Sequence, residues 1–300
     1  MLSAFIVKND LPKSFIDVAT TFYIPLANKL FCEQQVYSNS KNVDKSPMFV
    51  GLNGCQGSGK TTLSKFLAQY LQHQFNLSVA VLSLDDFYLS KAKRQLLAET
   101  VHPLFQTRGV PGTHDTDLLK SVLLGLKNIN KSNVSIDTPC FDKAQDNVSF
   151  PFNKVSGKID IVVFEGWCWG VSAQHEEALI MPINKLEKIK DNKAVWRNKV
   201  NELLRHNYQP LYDLMNIWLM LKAPSFDVVY QWRLEQEEKL RKVIDKAKDS
   251  DGLMDCSQIN EFIQFFQRLT DHGLRELPKK VDILLELDHN REIIASRGLK

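Results

Sequence analysis

The sequence predicts an α/β fold in which a doubly wound, mostly parallel sheet is flanked by helices. Two observations carry this prediction. Short apolar runs alternate with longer stretches whose apolar positions recur every three or four residues, and the first run leads through glycines into a helical stretch. Ligands of such sheets bind beyond the carboxyl ends of the strands, so functional residues are expected there.

The predicted elements follow in chain order. A helix spans 12–35, and a polar loop at 38–46 separates it from the first strand. The strand candidates are short, mainly apolar runs at 48–53, 79–84, 159–164, 218–221 and 281–287. Further helices are predicted after Lys60, over 118–126, within 171–212 and over 226–248. The chain, 1–300, is expected to form a single domain, with 1–45 as an N-terminal helical extension and 171–215 and 226–275 as helical insertions.

Composition and charge exclude several classes of protein. The 300 residues are 44% hydrophobic and 24% charged, which is enough for one large core. The net charge of +3 is spread without long basic runs, so no nucleic-acid partner is expected. The five cysteines form no C-x-x-C pair, which argues against disulfides or zinc and indicates a reducing compartment. No apolar run approaches the roughly 20 residues of a membrane span and no signal peptide is evident, so a cytoplasmic protein without a membrane partner is predicted. The oligomeric state stays open.

A phosphate-binding loop follows the first predicted strand. Residues 54–61 read Gly-Cys-Gln-Gly-Ser-Gly-Lys-Thr and match G-x-x-x-x-G-K-[ST] at every fixed position. Glycines let successive backbone N–H groups turn inward, and the helix that begins at Lys60 adds its positive dipole end. This pattern predicts a P-loop NTPase fold that binds ATP with Mg²⁺. The expected cofactor-binding residues are Gly54, Cys55, Gln56, Gly57, Ser58, Gly59, Lys60, Thr61 and Thr62.

Within this loop, Lys60 is expected to reach the β and γ phosphates and the Thr61 hydroxyl to ligate Mg²⁺. A glycine-rich turn that binds nothing is the alternative, and the strand before and helix after the loop argue against it. Cys55 is interpreted as an incidental small residue rather than a redox switch.

Carboxylates stand at the ends of two other predicted strands. Asp85 and Asp86 directly follow the second strand, and Glu165 directly follows the third. Strand ends converge on the phosphate loop, so these carboxylates can hold Mg²⁺ or take a proton from an acceptor hydroxyl. Thr61 and Glu165 are the predicted metal ligands. For Asp86, a simple helix N-cap is an open alternative.

The segment Asn184-Lys185-Leu186-Glu187 is one residue away from the guanine-binding pattern N-K-x-D of GTPases. Pro182 precedes it, no buried-strand run introduces it, and Glu165-Gly166 does not continue as D-x-x-G. The start of a helix is therefore the preferred interpretation.

Further motifs occur in a fixed order along the chain. They are Leu-Asp-Asp-Phe-Tyr-Leu at 84–89, Arg-Gly-Val-Pro-Gly-Thr-His-Asp at 108–115, Pro-Cys-Phe-Asp-Lys at 139–143, Phe-Glu-Gly-Trp at 164–167 and Val-Tyr-Gln-Trp-Arg at 229–233. Together with the phosphate loop they resemble the plant-type D-glycerate 3-kinases and their fungal and bacterial relatives. Those proteins belong to a wider group with uridine kinase, phosphoribulokinase and bacterial pantothenate kinase. The resemblance covers about 49–287.

The resemblance implies roles for individual residues. The catalytic set would be Lys60, Asp85 as the base, Glu165 near Mg²⁺, and Arg233 on a helix that forms a lid in relatives. Lys239 and Arg241 on the same helix are alternatives to Arg233. The expected acceptor-binding residues are Asp86, Tyr88, Arg108, His114, Asp115, Phe141, Asp142 and Lys143. The plant enzymes usually continue F-D-K with serine, where this chain has Ala144.

Simpler structural roles stay open for several of these residues. His114 is equally interpretable as a loop histidine, Arg108 as the partner of a nearby acid, and Arg233 as a solvated helix residue. Trp167 and Trp169 are interpreted as packing residues rather than ligand stackers.

These residues predict an ATP-dependent kinase that moves the γ-phosphate onto a hydroxyl of a small molecule, with D-glycerate as the favoured acceptor and 3-phosphoglycerate as the product. The carboxylate of glycerate would need a cation, which Arg108 or Lys143 could supply. Two alternatives stay open: a kinase for a nucleoside, pantothenate or a sugar, and a non-catalytic ATP-binding regulatory protein. The joint presence of Lys60, Asp85 and Glu165 argues against the latter, because a pure binder needs no base.

Overall fold

The computed structural model of the chain describes residues 1–40, 45–132, 134–244 and 256–299. Its strands are β1 (Met48–Gly54), β2 (Val79–Ser83), β3 (Ile136–Asp142), β4 (Asn147–Val155), β5 (Ile161–Gly166), β6 (Ile217–Lys222), β7 (Ile283–Leu287) and β8 (Ile293–Arg297). Its α-helices are α1 (Leu2–Lys8), α2 (Phe15–Val18), α3 (Ile24–Asn39), α4 (Lys60–Phe75), α5 (Lys91–Thr100), α6 (Thr116–Lys127), α7 (Ile129–Ser132), α8 (Glu177–Ile180), α9 (Lys185–Lys190), α10 (Val195–Leu203), α11 (Gln209–Tyr212), α12 (Phe226–Ile244) and α13 (Cys256–Glu276).

The main sheet has the strand order β2-β5-β1-β6-β7-β8. The first five strands in this order are parallel, and β8 pairs antiparallel with β7. The chain fills β2 and β5 on one side of β1 and then β6 and β7 on the other, so the strand order reverses at β1, where ligands of such sheets bind. The predicted doubly wound, mostly parallel sheet flanked by helices is therefore confirmed.

The register brings the predicted functional strand ends to one edge. Glu165 of β5 lies opposite Leu52 of β1 on one side and Ser83 of β2 on the other. Every residue of β1 and β5 is buried, which explains why both strands read as mainly apolar runs.

Three strands were not predicted. The strands β3 and β4 form a separate antiparallel hairpin, and Pro139 lies inside β3, where proline normally argues against a strand. The pairing register shifts between Thr138 and Cys140, so the proline sits at an irregularity that needs no ladder hydrogen bond. The strand β8 is exposed after Ile293 and carries no alternating apolar pattern.

The helices differ from the prediction mainly at their ends. The predicted helix 12–35 runs from Phe15 to Asn39 as α2, a π-helical turn (Ala19–Tyr23) and α3. The predicted helix 226–248 is described as α12 up to Ile244, and its last four residues lie outside the described residues. The helices α1, α5 and α7 were not predicted.

The helix α5 has no apolar stripe in its sequence. A buried arginine attaches it to the neighbouring segments instead. Arg94 is 1% exposed and donates hydrogen bonds to the carbonyls of Leu89 (3.2 Å), Gln106 (2.7 Å) and Asp146 (2.8 Å). Periodicity of apolar residues cannot reveal this kind of anchor.

The N-terminal helices pack on α4, the helix that begins at the phosphate loop. Phe5 lies edge-on to Phe66 of α4 with ring centroids 5.4 Å apart, and Tyr23 lies 5.5 Å from the same ring. Burying one such ring stabilises a fold by about 1.5–3 kcal/mol. The extension thereby supports the back of the helix whose N-terminus faces the site.

Across the described parts of the chain, none of the helices combines the length and apolar character needed to cross a membrane.

Candidate active site

The phosphate loop has the backbone that its glycines predict. Gly57 and Gly59 adopt φ values of +77° and +93°, which side chains other than glycine rarely allow. A Cβ atom on Gly54 would lie 2.7 Å from Ser58 Oγ, so the tight curl also requires glycine there. Gln56 Oε1 and Ser58 Oγ are buried without a hydrogen-bond partner among the described residues. Such orphaned polar atoms in an N–H-lined loop fit a polar ligand.

Cys55 lies in this loop but is chemically quiet. Burial raises the pKa of its thiol to about 12, against a smaller lowering by Lys60. Little thiolate exists at neutral pH in such an environment, which agrees with the interpretation of Cys55 as an incidental small residue.

Thr61 and Glu165, the predicted metal ligands, are in direct contact. The Thr61 hydroxyl donates a 2.9 Å hydrogen bond to Glu165 Oε1, although the two residues are 104 positions apart. Lys60 Nζ lies 4.0 Å from Glu165 Oε2 and donates to the Cys55 carbonyl at 3.2 Å.

A hydroxyl and a carboxylate are hard oxygen donors that suit Mg²⁺, which usually takes its other ligands from phosphates and water. Among the described residues no group of three or more His, Cys, Asp or Glu side chains forms a complete metal cage. The Thr61 hydroxyl and the Glu165 carboxylate therefore fit a Mg²⁺ ion that shares its coordination with nucleotide phosphates.

Asp85 lies on the 3₁₀ turn Leu84–Phe87 that follows β2, where the Ser83 side chain accepts a hydrogen bond from its N–H. Its Oδ2 accepts a 2.6 Å hydrogen bond from Lys143 Nζ, and its Oδ1 accepts one from the Tyr88 hydroxyl at 3.2 Å. Burial alone would raise the pKa of Asp85, but the ammonium groups of Lys143 and Lys60 reverse this and hold it below its usual value. The carboxylate is therefore ionised at neutral pH, as a base must be.

The β3–β4 hairpin supplies Phe141, Asp142 and Lys143. Asp86 anchors it, because Asp86 Oδ1 accepts a 3.4 Å hydrogen bond from the Phe141 N–H, and burial raises the pKa of Asp86. Asp142 folds the following turn by accepting hydrogen bonds from the N–H groups of Ala144 (2.8 Å) and Gln145 (3.1 Å). Asp86 is thus a hairpin anchor rather than a helix N-cap, and contact of either carboxylate with the acceptor stays a prediction.

Arg108 has an acid partner, as its simpler interpretation predicts. It forms an ion pair with Asp146, which is also paired with the buried Arg94 at 2.8 Å. The Arg108 guanidinium lies 5.5 Å from the ring centre of Phe141 and donates to the Lys143 carbonyl at 3.5 Å. Arg108 therefore stands beside the Asp85–Lys143 pair and shares the single negative charge of Asp146 with Arg94.

His114 is buried against Tyr88, with ring centroids 4.4 Å apart, and its Nδ1 lies 2.7 Å from the Tyr208 hydroxyl. That hydroxyl accepts a 3.2 Å hydrogen bond from the Gly112 N–H, so its own proton is available for Nδ1. This arrangement assigns the proton of the neutral ring to Nε2, which is buried without a partner among the described residues. Burial lowers the pKa of His114 to about 3.

Asp115 is occupied by structural contacts. Its Oδ1 accepts a hydrogen bond from the Leu118 N–H at 3.0 Å and so caps α6, and its Oδ2 accepts one from Lys93 Nζ at 3.1 Å. Its proposed grip on the acceptor stays a prediction.

Arg233 lies on α12 and faces the neighbouring helix, with its guanidinium 5.9 Å from the ring centre of Phe262 on α13. Its approach to a transferring phosphate stays a prediction. The side chains of the alternatives, Lys239 and Arg241, lie outside the described residues.

Arg291 is a site residue that sequence reasoning missed. It lies in the turn between β7 and β8, and its Nε donates a 2.9 Å hydrogen bond to the Gly57 carbonyl of the phosphate loop. It also pairs with Glu235 of α12 at 2.7 Å and lies 5.1 Å from the ring centre of Trp232. Gly57 and Arg291 are 234 positions apart, so no local pattern could have revealed the contact.

Two further predictions on local packing are confirmed. The Trp167 indole donates to the Gly109 carbonyl at 3.0 Å, and Trp169 is wholly buried beside Phe164, so both tryptophans are packing residues. Asn184 Oδ1 accepts from the Glu187 N–H at 3.0 Å and caps α9, so this segment is the start of a helix rather than a guanine site.

Comparisons with known proteins place this geometry among kinases. No family model matches the chain. It is 32% identical over 265 residues to the uncharacterized kinase mug58 of Schizosaccharomyces pombe, an alignment that covers 82% of this chain and 89% of that protein. It is 28% identical over 257 residues to the chloroplastic D-glycerate 3-kinase of Arabidopsis thaliana, covering 81% of this chain and 51% of the plant protein.

A solved structure is similar over almost the whole fold. The D-glycerate 3-kinase of Cryptococcus neoformans superimposes with a TM-score of 0.76 at 26% identity, covering 92% of this chain and 99% of that one. The similarity therefore extends beyond the phosphate loop to the helices and hairpin around it.

Proposed function

The chain belongs to the P-loop kinase family that includes mug58 and plant D-glycerate 3-kinase, and from this premise we propose that it transfers the γ-phosphate of ATP to the 3-hydroxyl of D-glycerate. One observation supports the proposal above others. An ionised, partly buried carboxylate, Asp85, stands at the sheet edge that carries the phosphate loop, and a lysine suited to an acid acceptor contacts it at 2.6 Å.

The donor side consists of the loop and Lys60. The inward N–H groups and the Lys60 ammonium hold the β and γ phosphates and offset their charge. Mg²⁺, held by Thr61 and Glu165, would neutralise the charge that develops between these phosphates. Arg233 is the proposed lid cation that covers the γ phosphate and helps to exclude water.

On the acceptor side, Asp85 orients the hydroxyl and takes its proton. As the hydroxyl oxygen forms its bond to the γ phosphorus, the bond to the bridging oxygen breaks and its electron pair leaves with ADP. The proton ends on Asp85. A buried acceptor carboxylate costs several kcal/mol unless a cation pairs with it, which the lysine next to the base can do.

A nucleoside acceptor would need an aromatic slot for its base, and Phe141 is the aromatic residue considered for that role. Phe141 is 6% exposed and packs edge-on against Tyr88, with ring centroids 5.3 Å apart. The Arg108 guanidinium lies 5.5 Å from the centre of the Phe141 ring. An aromatic slot for a base would need a more open ring.

The test is an ATP-consumption assay with Mg²⁺ against D-glycerate, L-glycerate, uridine, pantothenate and several sugars, run beside Asp85→Asn. Asp160→Asn is the matched control, because Asp160 also pairs with a lysine, Lys158, but precedes β5 at the opposite edge of the sheet. We expect turnover with D-glycerate, a loss of about 10²–10⁴-fold in Asp85→Asn, and wild-type turnover in the control. Turnover with a different acceptor would discard glycerate. ATP binding without turnover on any acceptor would favour the regulatory protein.

A further inference from the structure

We propose that Lys143 is a substrate-sensing switch: it masks the base Asp85 until the anionic group of an acceptor draws its ammonium away. This inference rests on the proposed function and extends it from one substrate to the class of acceptor that the site selects. Hydroxy acids unmask the base, and neutral polyols leave it masked.

The first step is that both oxygens of Asp85 already accept a hydrogen bond in this structure. Lys143 Nζ donates to Oδ2 at 2.6 Å and the Tyr88 hydroxyl donates to Oδ1 at 3.2 Å. Each oxygen keeps a lone pair for a hydroxyl, but the ammonium held at 2.6 Å offsets the negative charge of the carboxylate and weakens it as a base until that ammonium moves away. Tyr88 is 5% exposed and stacked on His114, which leaves Lys143 as the partner that can move.

The second step is that the Lys143 side chain can swing while its backbone stays in place. The side chain is 60% exposed, at the turn of the β3–β4 hairpin. The backbone is fixed because Asp142 caps the turn and Arg108 donates to the Lys143 carbonyl. A lysine has a flexible four-carbon stem, so the ammonium can exchange partners without unfolding the hairpin.

The third step is that only an anionic acceptor offsets the cost of moving the Lys143 ammonium away from Asp85. Breaking the Lys143–Asp85 pair costs a charge-assisted hydrogen bond, and a neutral hydroxyl returns nothing of similar strength to the ammonium. An acceptor carboxylate provides a new partner and frees Asp85 in the same movement.

The neighbouring cation is not placed to do this. Arg108 is already paired with Asp146, and Asp146 is held in addition by Arg94, which is 1% exposed. Since Asp146 takes no part in the proposed chemistry, moving Arg108 away from it would release no base. The release of the base is therefore assigned to Lys143.

The experiment compares D-glycerate with glycerol, which keeps a primary hydroxyl but lacks the carboxylate, in the wild type and in Lys143→Met and Lys143→Arg. Lys158→Met is the matched control: Lys158 is also exposed and also pairs with a buried carboxylate, that of Asp160 at 2.8 Å, but at the far edge of the sheet. For each protein, kcat/KM is measured with both acceptors, and nucleotide binding is measured to verify the fold.

We expect Lys143→Met to lower kcat/KM for D-glycerate by about tenfold or more, the effect of losing a hydrogen bond to a charged group. In the same variant kcat/KM for glycerol should rise above the wild-type value, because the base is no longer masked. Lys143→Arg should retain the wild-type preference for the acid, and Lys158→Met should match the wild type with both acceptors.

Two results would overturn the switch. If glycerol turnover in Lys143→Met stays at the wild-type value while D-glycerate turnover falls, Lys143 is a carboxylate ligand only. If both fall together, it supports the site without selecting the acceptor. Both results presuppose wild-type turnover of D-glycerate; its absence would instead reject the proposed function, and the switch with it.

Discussion

At Asp85, burial and neighbouring charge act in opposite directions on one carboxylate. Burial raises its pKa, and the contact with Lys143, aided by Lys60, more than compensates, so the pKa lies below the usual aspartate value. The group is ionised above that pKa and loses its function as base only when the pH falls through it. Its charge state is thus a property of the hairpin that brings Lys143 to it.

Replacing Lys143 with methionine should therefore move the acid limb of the pH profile. With the largest lowering influence removed, burial dominates and the pKa of Asp85 rises, so kcat/KM should begin to fall at a higher pH than in the wild type. The measurement is kcat/KM for D-glycerate between pH 4 and pH 8, values chosen to bracket carboxylate titration. If kcat/KM falls at the same pH in the wild type and in Lys143→Met, a group other than Asp85 causes the fall. Lys158→Met serves as the control.

His114 is a second buried titratable residue, and its effect should appear in stability. Its pKa is lowered by burial to about 3 in the folded chain, so between that value and about 6.5 the unfolded chain binds more protons. The free energy of unfolding should consequently decrease as pH falls through this window, by at most about 1.4 kcal/mol per pH unit from this residue.

Urea unfolding of the wild type and His114→Asn across this pH range measures the effect. The slope should be shallower in the variant, whereas equal slopes would mean that His114 is protonated in the folded chain. The variant will also be less stable at neutral pH, because the Tyr208 hydroxyl loses its partner, so the comparison is made on slopes.

Among the structural elements, the turn between β7 and β8 connects the phosphate loop to the candidate lid. Arg291 reaches the Gly57 carbonyl on one side and Glu235 of α12 on the other. The Trp232 indole adds a 2.7 Å hydrogen bond from α12 to the His289 carbonyl in the same turn. The shape of the loop is therefore coupled to the position of the helix that would close over it.

Removing this connection should weaken nucleotide binding. We expect Arg291→Ala to raise the KM for ATP by about tenfold, the typical effect of losing one hydrogen bond from a charged donor, since the loop carbonyl loses its support. The control is Arg297→Ala, which removes an arginine from β8 that donates to the Val281 carbonyl at 3.1 Å. An unchanged KM for ATP in Arg291→Ala would mean that the loop holds its shape alone.

For the molecule as a whole, a buried ion pair ties the helical segment 171–215 to α13. Arg268 of α13 contacts both carboxylate oxygens of Glu187, at 2.7 and 2.6 Å, and donates to the carbonyls of Ala178 and Met181. Nearby, Arg197 pairs with Asp191 at 2.9 Å. In this part of the molecule charged side chains hold helices together, as apolar packing does around the sheet.

Breaking the Arg268–Glu187 pair should destabilise the chain strongly. Glu187 is 1% exposed, so Arg268→Met leaves a buried carboxylate without its partner and should lower the free energy of unfolding by about 3–5 kcal/mol. Removing both charges in Arg268→Met/Glu187→Leu should recover much of that loss. Urea unfolding of the two single variants and the double variant forms the cycle, and additive losses would show that the pair is not coupled.

Much of the fold and the donor site could be predicted from the sequence because both are local. The strands β1 and β5 are buried on both faces, so they read as apolar runs, and the glycines of the loop are required by their own backbone angles. The position of Glu165 beside Thr61 followed from one general property, that parallel strands present their carboxyl ends at the same edge. Elements held by polar anchors, such as α5 with Arg94, gave no comparable signal.

By itself, then, the sequence determined the sheet, the phosphate loop and which acids stand at the strand ends. The spacing of apolar residues and the backbone angles of the loop are encoded within a few neighbouring residues. Only the tertiary structure decided what those acids touch. Lys143 meets Asp85 across 58 positions and Arg291 meets Gly57 across 234, each carried there by a hairpin that folds back over the sheet. Side-chain pairs of this kind depend on the paths of distant loops, and no pattern within a short window of sequence specifies those paths.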